Sequence, residues 1–112
     1  MQLEIKTWLY DILNAIVEIE SFIDDTSYTF ESYQYDLKTK RAVERNIEII
    51  GEAVNRIVQK DKLVTLSNSR QIIDTRNRII HGYDSVSDQI IWGIVKTHLP
   101  QLRIEVEILL GE

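Results

Sequence analysis

The sequence predicts an all-α fold, an antiparallel bundle of four to five helices spanning residues 1–112 as one domain. Three observations carry this. Apolar residues recur at three- and four-residue spacing through most of the chain. One proline and four glycines among 112 residues leave few breaks for strands and turns. The length suits a single domain with its own core.

In order along the chain, Ile5, Trp8/Leu9, Ile12, Ile16, Ile19 and Ile23 predict a long first helix. "DDTSYTFESYQYD" interrupts the pattern and reads as a polar, aromatic-bearing loop. A second long helix starts near Leu37 and runs through Val43, Ile47, Ile50, Val54 and Ile57/Val58. Gly51 within it suits close helix packing better than phosphate binding. "KDKLVTLSNS" reads as a connector, with Ser67 or Asn68 placed to cap a shorter helix over "RQIIDTRNRIIH". Gly82 follows His81 as a helix-ending glycine does. Ser85 or Ser87 is placed to cap the last helix, and Asp88 in its first turn complements the helix dipole. That helix runs through Ile91, Val95, His98/Leu99, Leu102, Val106 and Leu109/Leu110. Pro100 kinks it or splits it, falling near the start of the second piece. Neither repeats nor low-complexity tracts occur.

Composition narrows the classes. With 44% hydrophobic and 28% charged residues the chain reads as soluble. The absence of cysteine removes disulfides and thiolate metal sites and makes a reducing cytoplasm the natural compartment. No stretch approaches the roughly 20 apolar residues a membrane span needs, and the acidic N-terminal segment is unlike a signal peptide. The net charge of −5 is unevenly spread. Residues 1–37 hold one basic and eight acidic side chains, residues 38–81 ten basic and five acidic, and residues 82–112 two basic and five acidic. The middle of the chain is either an anion-facing surface or an ordinary solvated helix face.

Two histidines, His81 and His98, argue against a metal site, and no Gly-rich phosphate loop occurs. His98 lies on the apolar stripe and reads as a core or interface histidine with a hydrogen-bond partner. Trp8, Trp92 and most tyrosines read as packing aromatics. The chemistry concentrates in "RNRIIHGYD", residues 76–84. Arg76 offers a fork-shaped cation for a phosphate. His81 offers a group that exchanges protons near neutral pH. Together they meet the minimum for metal-free RNA cleavage, in which the 2′-hydroxyl loses its proton and attacks the adjacent phosphorus. On a helix, residues five apart diverge by about 140°, so Arg76 and His81 do not share a face, whereas Asn77 and His81 do. A working site then needs two copies of the helix across a dimer axis, or long side chains, or a helix that ends at His81. The plainer alternative is that Arg76 and Asn77 satisfy neighbouring backbone while His81 caps the helix.

"RNRIIHGY" also resembles the R-x4-H-x-Y signature of the HEPN superfamily, with Arg76, His81 and Tyr83 at the signature positions. "YDILNAIVEIESF" resembles the first helix of HepT-type HEPN toxins, "RAVERNIEIIGEAVNRI" their second, and "IIWGIVKTHLPQL" the segment after the motif. The resemblance covers most of the chain, in the right order. It departs before the motif helix, where relatives often carry a turn with proline and tryptophan and this chain has "VTLSNSRQIID".

The resemblance implies a HEPN-type bundle, a homodimer or a larger hetero-oligomer, and a toxin that cleaves RNA without a cofactor. Arg76 would hold the phosphate, His81 would be the general acid/base, and Asn77 would orient His81 or the phosphate. Arg78 would add charge or stay solvated. The resemblance further implies a nucleotidyltransferase antitoxin that moves AMP from ATP onto Tyr83, placing phosphate and adenine where RNA must bind. The competing function is a non-catalytic helical subunit that binds a nucleotide or a nucleotidyltransferase partner.

Overall fold

The computed structural model describes residues 1–82 and 86–111. It is all-α: α1 (Leu3–Ile23), α2 (Phe30–Gln34), α3 (Leu37–Lys60), α4 (Ser69–Ile80), α5 (Asp88–Gly93), a π-helical segment (Ile94–His98) and α6 (Leu99–Leu110). Among the described residues there is no strand.

α3 is the central member. It lies antiparallel to α1, since Asn46 donates to Glu18 at 3.2 Å while Lys60 meets Glu4 at 3.8 Å. Ile5, Leu9, Ile12, Ile16 and Ile19 of α1 and Val43, Ile47, Ile50, Val54 and Ile57 of α3 are buried. Those are the stripes that the spacing marks, and burial of each such side chain contributes roughly 1.5–3 kcal/mol. α6 closes the bundle through Leu99, Leu102 and Val106, and Arg103 donates to Glu20 of α1.

The segment before α3 is more ordered than a polar loop. Ser32 N–H donates to Thr29 Oγ1 and Thr29 N–H to Ser32 Oγ, both at 3.2 Å, and this reciprocal cap starts α2. α2 buries Tyr33 at 1% exposure, with its ring 5.4 Å from Trp92 and those of Tyr28 and Phe30 just beyond 6 Å. Burial, with the carboxylates of Glu44 and Asp88 nearby, holds the Tyr33 hydroxyl well above the ordinary phenol range. Asp36 then caps α3 by accepting from Thr39 N–H at 3.1 Å. Lys40 meets Asp88 at 3.0 Å and ties the start of α3 to the start of α5.

Helix ends follow local chemistry in most places. Ser87 caps α5, accepting from Ile90 N–H at 3.1 Å; Ser85 lies outside the described residues. Pro100 falls in the first turn of α6, as its missing N–H allows. The turn before it widens, with Leu99 N–H donating to Ile94 O five residues back. The start of α4 differs from expectation. Asn68 occupies the N-cap position but is left-handed (φ 63°) and makes no side-chain cap. Ser67 instead donates its N–H to Glu105 of α6 at 2.8 Å.

None of the described helices is long and apolar enough to cross a membrane.

Candidate active site

Arg76 is placed by a glycine on another helix. A Cβ built on Gly51 would lie 2.4 Å from Arg76 Cβ, 2.8 Å from Arg76 Cγ and 3.4 Å from Ile72 O. Only a glycine lets the α4 backbone come this near α3, so Gly51 is the packing glycine that its sequence context suggests. The aliphatic stem of Arg76 then crosses α3, half-buried, and its Nη1 donates to Asn77 Oδ1 at 2.8 Å. Arg76 and Asn77 are thus paired side chain to side chain.

His81 is exposed and sits where α4 stops. Its N–H donates to Asn77 O at 3.2 Å, and Gly82 N–H donates to Ile79 O at 3.1 Å. Gly82 has φ +67°, the left-handed value that a terminating glycine supplies at little cost. The helix therefore ends at His81. Tyr83, with Asp84, lies outside the described residues.

The charge of the middle segment resolves into two sets. Arg41, Arg45 and Arg56 of α3 pair with Glu44, Glu48 and Glu52 one turn away, and Lys60 pairs with Glu4. On α4, Arg70 and Arg78 enter no ion pair among the described residues. Lys38 of α3 and Lys62 of the connector likewise enter no ion pair among the described residues, so the middle segment's unpaired cations are shared between α4 and its neighbours.

On the side of α4 away from Gly51 runs a groove of about 390 Å³, between α4 and the α5–π segment. Gln71, Asp74, Thr75 and Arg78 line one wall, and Gln89, Ile90, Gly93, Ile94, Thr97 and His98 the other. Thr75 is buried and donates its hydroxyl to Gln71 O at 2.8 Å. His98 is half-buried, and its buried Nδ1 has no hydrogen-bond partner among the described residues. Sequence reasoning misses this groove because its walls lie some 20 residues apart. The traceable signal is the stripe Gln71–Asp74–Thr75–Arg78, at i, i+3, i+4 and i+7. Among the described residues, no cluster of three or more His, Asp or Glu side chains converges as a metal site would.

The chain is thus a single all-α bundle with an arginine packed on a helix glycine and a histidine at the end of the same helix. The sequence profile of the ribonuclease HepT-like family matches residues 12–109, and the chain belongs to that family. A protein named "Probable ribonuclease HepT", from Thermococcus cleftensis, is 36% identical over 103 residues, covering 91% of this chain and 92% of its own. "Putative RNase MJ0127", from Methanocaldococcus jannaschii, is 33% identical over 108 residues, covering 93% and 85%. "Putative RNase MJ1380", from the same organism, is 33% identical over 107 residues, covering 94% and 95%. No solved structure gave a significant match.

Proposed function

We propose that this chain is the toxin of a toxin–antitoxin pair, an endoribonuclease that needs no metal. The observation that carries the reading is the fixed Arg76–Asn77 pair beside His81 in a HepT-like chain. His81 accepts the 2′-hydroxyl proton of RNA as the oxygen attacks the adjacent phosphorus. The bond to the 5′-oxygen breaks, and that oxygen leaves with a proton as a 5′-hydroxyl. A 2′,3′-cyclic phosphate stays on the other fragment. The guanidinium of Arg76 neutralises the charge building on the phosphoryl oxygens. DNA lacks the attacking hydroxyl and is not a substrate for this step.

Asn77 accepts from Arg76 through Oδ1, which leaves its amide N–H groups to donate to the phosphate. The active form is a homodimer with Arg76 and His81 lining its groove, alone or within a larger assembly with the antitoxin. The antitoxin is a nucleotidyltransferase that transfers AMP from ATP to the Tyr83 hydroxyl, with pyrophosphate as the leaving group. The added phosphate repels RNA from the groove.

Expression of the chain alone in a bacterial host is expected to arrest growth, and co-expression of the neighbouring nucleotidyltransferase to restore it. Intact mass after co-expression should rise in AMP-sized steps that Tyr83→Phe abolishes. Healthy growth with intact RNA would favour the non-catalytic subunit instead.

A further inference from the structure

We infer that the groove between α4 and the α5–π segment is a subsite for a nucleobase of the bound RNA, and that Gly93 keeps it open. The inference rests on the RNA-cleaving reading above and adds where the strand lies.

Gly93 is the unusual observation. It sits inside a helix at φ −60°, ψ −43°, a conformation any residue adopts. A glycine there costs roughly 0.5–1 kcal/mol relative to alanine. At Gly51 crowding explains the same cost. At Gly93 nothing does so, since a Cβ built there meets no atom within 4 Å. What a side chain would fill is the groove itself, since Gly93 lines it.

The groove's chemistry suits a base. Ile90 and Ile94 beside the bare backbone of Gly93 give an apolar surface for a base face. The amides of Gln71 and Gln89 and the hydroxyl of Thr97 can each donate and accept, and the Asp74 carboxylate accepts from a base amino group, as a base edge requires. The volume of about 390 Å³ falls within the range of small-ligand sites. Arg78, at the rim, is three residues before His81 on the same side of α4. A strand whose phosphate rests between Arg76 and His81 can thus run past Arg78 and seat a neighbouring base in the groove.

The test uses full-length protein carrying His81→Ala, so that RNA stays intact, and a fluorescent single-stranded RNA decamer as probe. Adding Gly93→Leu is expected to weaken binding about tenfold, within the range seen when one base loses its stacking platform. Melting temperature should hold or rise, because leucine favours the helix over glycine. Gly93→Ala, which adds only a methyl group, should change affinity less than Gly93→Leu. Unchanged affinity in Gly93→Leu overturns the inference. So does a shift in sedimentation from dimer to monomer, which would mean that the groove holds a second copy of the chain. The two readings fail separately. If wild-type protein leaves RNA uncut but Gly93→Leu still weakens decamer binding, the nuclease reading falls and the subsite stands. If wild-type protein cuts RNA and Gly93→Leu binds as before, the reverse holds.

Discussion

The two flanks of α4 use glycine in opposite ways. On the α3 side, Gly51 has Arg76 pressed against it, with 2.4 Å between Arg76 Cβ and the position a Cβ would take. On the α5 side, Gly93 faces open space. The first glycine brings two helices together and so fixes a cation; the second keeps a groove open. A helix glycine is therefore not one signal. Whether it marks contact or vacancy depends on what the partner helix brings, which sequence spacing does not reveal. The flanks also differ in charge, since the α3 arginines Arg41, Arg45 and Arg56 are paired with glutamates while Arg78 at the groove enters no ion pair among the described residues.

Removing the group that the tight flank fixes should have the largest effect. Arg76→Ala is expected to lower RNA cleavage at least a hundredfold, the order seen when a preorganised transition-state contact is lost. Circular dichroism should show the fold retained. Next is the flank itself. Gly51→Ala places a methyl group against Arg76 Cβ, an atom fixed to the α4 backbone that cannot swing aside. Overpacking of this kind costs about 1–3 kcal/mol, only partly offset by the better helix propensity of alanine. Denaturant melts should show net destabilisation together with reduced cleavage. Gly93→Ala should do the opposite and stabilise by about 0.5–1 kcal/mol, because the methyl group meets nothing. Equal effects of the two substitutions would erase the contrast.

A smaller effect is expected at the start of α3. The hydrogen bonds that Asp36 accepts from Thr39 hold its carboxyl below the ordinary carboxylate range. A depressed folded-state value means that the cap contributes at neutral pH and is lost as pH falls through that value. Asp36→Ala should therefore lower the melting temperature at neutral pH, with the gap to wild type narrowing in acid.

Much of the bundle is legible in sequence because burial imposes a period. The stripes Ile5–Ile23 and Val43–Ile57 mark α1 and α3, and Gly82, Ser87 and Pro100 act where their local chemistry predicts. α2 escapes because one buried side chain, Tyr33, anchors an otherwise polar segment. The π turn escapes because hydrogen-bond register leaves no trace beyond Pro100. At the start of α4, Ser67 is claimed by Glu105, a partner 38 positions away. In the site, the helical wheel separates Arg76 from His81 and gives no reason for adjacent Arg76 and Asn77 to pair. The arginine packs on Gly51 and its Nη1 reaches Asn77 Oδ1, a pairing that spacing alone does not indicate.

The most direct measurement is cleavage of single-stranded RNA by purified wild-type and His81→Ala protein, in chelator, with the product ends identified. The account predicts 2′,3′-cyclic phosphate ends from wild type and a rate at least a hundredfold lower from His81→Ala at unchanged melting temperature. Full cleavage by His81→Ala, or cleavage by wild type only when a metal is added, would contradict it.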